Sequence, residues 1–127
     1  PCEGIMVNMS TKIINLADPS GRKYIRLTVV LEFAPEEAPA DAKTAKSSGD
    51  HGSGETAAAG TDFETRIQSR MPVMDDVVIT LLSTKTFEEL YTAEGKERLR
   101  QELMQAISQR LPEFQLLSVY FTEFVVQ

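Results

Sequence analysis

Chemistry leaves recognisable spacing in a sequence, and a few places in this one invite the test. His51 is the only histidine and the natural candidate for a general base, which must be held within hydrogen-bond reach of the proton it takes. It sits in a Gly/Ser-rich stretch where nothing would fix that geometry. Asp75 and Asp76 are adjacent carboxylates, but successive helix residues point about 100° apart, so they do not form a preformed pair sharing a proton or a metal. Gly52-Ser53-Gly54-Glu55-Thr56-Ala57 has the letters of a dinucleotide-binding turn without directly joining a strand to a helix in a βαβ unit. Cys2 is the lone cysteine and cannot close an intramolecular disulfide, and with one histidine there is no cluster at metal-ligand spacing. Asn8-Met9-Ser10 matches a glycosylation acceptor but falls inside a strand pattern. The reading is therefore a chain with no catalytic residue, no metal site and no cofactor.

Composition points the same way. The length of 127 residues fits one domain, and a hydrophobic fraction of 42% with 25% charged residues is enough to build a core. Nineteen acidic against thirteen basic residues give a net charge of −6, and no Lys/Arg-dense face exists to neutralise phosphates, so nucleic acid is not an expected partner. No run of about 18 apolar residues and no leader pattern is present. Because the chain starts at Pro1, an anchoring segment ahead of it is left open.

Elements follow from periodicity. Ile25, Leu27, Val29, Leu31 and Phe33 alternate with Arg26, Thr28, Val30 and Glu32, the period-two signature of a half-buried strand. Upstream, Ile5, Val7, Met9 and Ile13 keep one parity before Ile14 and Leu16 take the other, which predicts a bulge or bend near Thr11 to Ile14. Asp18-Pro19-Ser20-Gly21 supplies the turn, giving a long hairpin from Gly4 to Phe33. Residues 34–60 are rich in Pro, Glu, Ala, Ser and Gly and read as a disordered insertion.

Thr61 and Glu64 have capping-box spacing, and Ile67, Met71, Met74, Val78, Leu81 and Leu82 then recur at helical spacing. Pro72 predicts that this helix is kinked or broken. Thr86 with Glu89 caps a short turn through Leu90. Thr92 opens a longer helix with Leu99, Leu103, Ile107 and Leu111 on one stripe, which Pro112 stops. Leu116 to Val126 is a strand with both parities largely apolar, implying either a central strand covered on both sides or a face left for a partner. Glu123 interrupts it, either with its carboxylate in solvent or meeting a basic group on a neighbouring subunit. The fold class is α/β of the α+β kind, in the order β-β-α-α-β, with an antiparallel hairpin and C-terminal strand packed by two main helices.

Leu81-Leu82-Ser83-Thr84-Lys85-Thr86 followed by an aromatic and Glu-Glu-Leu, the helix start Thr92-Ala93-Glu94-Gly95-Lys96, and the terminal Val119-Tyr120-Phe121-Thr122-Glu123-Phe124-Val125-Val126-Gln127 resemble the extracytoplasmic domain of the FliL family of flagellar basal-body-associated proteins. Asn15-Leu16-Ala17-Asp18, Gly21-Arg22-Lys23-Tyr24 and Leu31-Glu32-Phe33 agree, and the likeness covers nearly everything except residues 34–60. It implies a stomatin-like (SPFH-like) domain on the periplasmic side of a single-pass inner-membrane protein, whose anchor would precede Pro1. It also implies a homo-oligomeric ring around the flagellar stator that supports torque, rotation and swimming or swarming, with function carried by surfaces.

A ring of one protein needs a head-to-tail contact between two different patches. The candidates are the polar face of the Thr92 to Leu111 helix, with Glu97, Arg98, Arg100 and Glu102, and the exposed parity of the hairpin, with Arg26, Thr28 and Glu32; on the last strand Tyr120 and Glu123 serve either solvent or the next subunit. A competing expectation is a ligand- or peptidoglycan-sensing module that uses residues 34–60 as a capture loop.

Overall fold

The computed structural model describes residues 4–35 and 62–127. Two compact units are distinguished, Pro1–Ala34 with Pro72–Gln127, and Pro35–Met71. In the second unit, residues 62–69 form helix α1, on which Phe63 and Ile67 are buried and Arg66 lies 3.7 Å from Asp62 one turn back. The capping role expected of Thr61, the insertion from residue 36 onward, His51, the glycine pattern at 52–57 and Cys2 all lie outside the described residues.

The helix breaks where Pro72 requires it. Arg70 is a turn residue whose N–H donates to the Ile67 carbonyl at 3.0 Å, and α2 (Met71–Leu82) restarts with Pro72 in its first turn, where the missing N–H costs nothing.

The sheet carries the first unit. Strands β1 (Ile5–Asn8) and β2 (Lys12–Asn15) pair antiparallel with the two ends of β3 (Tyr24–Phe33), and β4 (Leu116–Val126) pairs antiparallel along nearly all of it. Since β4 takes one edge of β3, β1 and β2 share the other as one interrupted strand. Asn8 faces Val30 and Lys12 faces Leu27, so Met9, Ser10 and Thr11 stand opposite Thr28 and Val29 alone. This extra residue is the predicted bulge, and it hands the buried parity from Val7 and Met9 to Ile14 and Leu16. Ile13, read with the first parity, lies after the switch and is 65% exposed. Asp18 to Gly21 close the hairpin through a 3.0 Å bond from the Gly21 N–H to the Asp18 carbonyl, with Gly21 at φ 71°.

The register of β4 shifts twice against β3, leaving Thr122 and Leu117 unpaired. The two apolar parities of the sequence therefore join into one inner face, with Leu116, Val119, Phe121, Phe124 and Val126 in register with Phe33, Leu31, Val29, Leu27 and Ile25. That overturns the central-strand alternative: among the described residues β4 pairs with β3 only and is an edge strand.

The inner face is covered at β4 by helices α3 (Phe87–Tyr91) and α4 (Ala93–Arg110), while α2 reaches β2 through the pairing of Asp75 with Lys12. Leu99, Leu103, Ile107 and Leu111 are at most 1% exposed, each contributing about 1.5–3 kcal/mol by leaving water. Both predicted caps form: Thr86 and Glu89 make a reciprocal capping box, and Thr92 Oγ1 accepts from the Gly95 N–H at 2.9 Å. A Cβ on Gly95 would stand 1.7 Å from the Glu89 carbonyl oxygen, so the α3–α4 junction closes only around glycine. The hairpin tip is latched to the α2–α3 connection. Ala17 N–H donates to the Lys85 carbonyl at 2.7 Å, and Asp18 Oδ1 accepts from the Phe87 N–H at 2.8 Å.

Candidate interaction surfaces

Alternation along β3 sends Arg26, Thr28, Val30 and Glu32 to the outer face, opposite the helices. Pairing lays neighbours beside them in rows: Met6–Glu32–Ser118, Asn8–Val30–Tyr120, Thr28–Glu123 and Ile13–Arg26–Val125. Four predicted surface residues thus come together on one open face. They are joined in pairs: Tyr120 Oη donates to Glu32 Oε1 at 2.6 Å, while Glu123 lies 3.6 Å from Arg26 and accepts from Thr28 Oγ1 at 3.2 Å. Glu123, its side chain 38% exposed, thus has a basic neighbour within its own chain. Between these polar groups stand Met6, Ile13, Tyr120 and Val125, each 40–65% exposed. Sequence reasoning missed Met6, Ile13 and Val125 as part of this face, because only the bulges reveal which parity points outward.

The four charged residues of α4 separate. Glu97 and Arg98 are exposed. Arg100 is half-buried: its Nη1 meets Glu97, its Nε donates to the Val119 carbonyl at 3.0 Å, and its guanidinium lies 5.2 Å from the centre of the Phe121 ring. One turn earlier Lys96 Nζ sits 4.9 Å from the centre of Phe124. These two cations lie over the aromatic inner face of β4 at its unpaired edge, their stems covering apolar surface. Glu102 points elsewhere, to Lys85 Nζ at 2.6 Å, and serves as an internal clamp. Arg98 makes no ion pair among the described residues.

Asp75 and Asp76 diverge as their adjacent positions on a helix require. Asp75 pairs at 2.8 Å with Lys12, whose side chain is 10% exposed, and Asp76 lies 3.6 Å from Arg110. Among the described residues no group of three or more His, Cys, Asp or Glu side chains is placed to hold a metal ion, and no helix is long and apolar enough to cross a membrane.

The model of flagellar basal body-associated protein FliL matches residues 6–127. The chain belongs to the FliL family. It is also 32% identical over 128 residues to the flagellar protein FliL of Aquifex aeolicus (strain VF5), covering the whole of this chain and 64% of that relative. The segments that carried the resemblance are contiguous with the geometry just described: Leu81 to Leu90 end α2 and cap α3, Thr92 to Lys96 cap α4, and Val119 to Gln127 form most of the edge strand.

Proposed function

We propose that this FliL-family domain is a non-enzymatic accessory of the flagellar motor, assembling as a homo-oligomeric ring around the stator and supporting torque, rotation and swimming or swarming. It stands on the extracytoplasmic side of the inner membrane, held by a single-pass anchor encoded ahead of Pro1. The observation that carries this reading is the family match over residues 6–127, and the open outer face of the sheet supports it. A head-to-tail contact sets the Glu97–Arg98 end of α4 on one subunit against Arg26, Glu32, Tyr120 and Glu123 of the next. Exposed pairs such as Arg26–Glu123 are worth about 0–1 kcal/mol, so exchanging partners across a subunit boundary costs little. Mixed charge then sets register more than affinity.

The test is to purify the full-length protein with its anchor in detergent. Rings visible by electron microscopy and co-purification with stator units are the expected result. A monomer that leaves stator units behind overturns the reading.

A further inference from the structure

The unpaired edge of β4 lies along α4, and the two leave a groove between them. Toward the C-terminal end of the strand it opens into a cavity of about 330 Å³ lined by Phe87, Leu90, Tyr91, Lys96, Phe124 and Val126. Toward its start lies a second depression of about 440 Å³, lined by Arg100, Gln101, Met104, Ser118, Val119 and Tyr120. Phe121 and Phe124, on the inner face, are only half-buried although their β3 register partners Val29 and Leu27 are almost fully buried. Tyr91 is 71% exposed and stacks on Phe87 with ring centres 5.4 Å apart.

Of the cations lining this groove, Arg100 is paired with Glu97 and Lys96 is not. Lys96 makes no ion pair among the described residues and rests instead on the ring of Phe124 at 4.9 Å, and Lys23, outside the cavity lining, lies 4.6 Å from the centre of Phe87. In a chain of net charge −6, this places positive charge beside a row of backbone groups with no strand partner. Arg100 already acts on one of those groups, donating to the Val119 carbonyl at 3.0 Å as a further strand would.

We propose that this groove binds an extended, acidic segment of a partner protein, which adds to the free edge of β4 as an antiparallel or parallel strand. Main-chain hydrogen bonds supply the pairing, and alternate side chains point into the groove. A large apolar residue fills the aromatic cavity beside Phe87, Tyr91 and Phe124, and carboxylates near it face Lys96 and Arg100. The site shares only Tyr120 with the surfaces assigned above to the ring, and its test does not depend on ring formation.

Random nonapeptides displayed on phage are selected on the purified chain, and the enriched sequences are remade as fluorescein-labelled peptides for anisotropy titration. The expected peptides combine Asp or Glu with Phe, Tyr or Leu at alternating spacing, and bind more weakly as salt rises. Methylating alternate backbone nitrogens of the peptide raises Kd at least tenfold, as does Lys96→Glu. Lys96→Gln, which keeps most of the stem over Phe124, raises it several-fold, and Ile79→Ala on α2 leaves it unchanged. Peptide binding slows hydrogen exchange at backbone amides between Ser118 and Val126. Failure to enrich peptides, enrichment of basic ones, indifference to N-methylation, or pairing of two copies of the chain through β4 overturns the proposal.

Discussion

Asp18 was legible as a turn residue, and the turn is there, but its side chain serves a helix 69 positions away by accepting the Phe87 N–H. Removing it leaves a partly buried donor at the start of α3 unpaired. Asp18→Ala is expected to cost about 1–2 kcal/mol, read as a lower urea midpoint with an unchanged slope, whereas Asp18→Asn, which keeps an acceptor oxygen, loses less. An equal loss for both variants would show that charge, not the bond, holds the latch. The same division holds for the other polar residues. Local chemistry identified the Thr86 and Thr92 caps because their partners are three residues away. The partners of Glu123, Glu102 and Asp75 are set by the register of the sheet and the packing of helices on it, which no local pattern encodes.

At the scale of elements, periodicity located every strand and helix on which the described surfaces stand, because each has one buried face. It failed only in β4, where the change of period is masked. The first bulge showed in the sequence as a switch from Val7 and Met9 to Ile14 and Leu16, since the opposite parity there carries polar residues as well as Met6 and Ile13. In β4 both parities are rich in large apolar side chains, so the two bulges were concealed and the strand read as apolar on both sides. Thr122 is the unpaired residue that rotates Phe121 and Phe124 onto the same face. Deleting it leaves Phe121 and Glu123 consecutive opposite Val29 and Thr28, a regular strand with both faces intact, whereas deleting Thr122 and Glu123 together turns Phe124 and Val126 outward, because a one-residue slip exchanges the two faces of a strand. The double deletion is expected to cost at least about 3 kcal/mol, comparable to removing a large core side chain, whereas deleting the exposed Thr122 alone costs no more than about 1 kcal/mol. Thermal unfolding followed by circular dichroism separates the two, and equal stability of both variants would mean that the residue count of β4 does not fix which side chains face the helices.

For the molecule as a whole, the inner face of the sheet is committed to folding and the outer face is not. Scattered exposed apolar residues are ordinary on any protein surface. Met6, Ile13, Tyr120 and Val125 are different in sharing one open sheet face with the Arg26–Glu123 and Glu32–Tyr120 pairs. An apolar surface threaded with weakly held charges is what a subunit contact requires if it is to assemble in register without driving collapse in isolation. Stability and assembly should then separate at Ile13, the most exposed of the four at 65%. Ile13→Glu is expected to change unfolding free energy by no more than about 0.5 kcal/mol, while placing a carboxylate beside Val125 and Arg26 and abolishing both assembly of the anchored protein and its ability to restore swimming in a strain lacking it. If the variant swims and assembles normally, the outer face of the sheet is not the contact, and the exposed Glu97–Arg98 end of α4 must be paired with another surface.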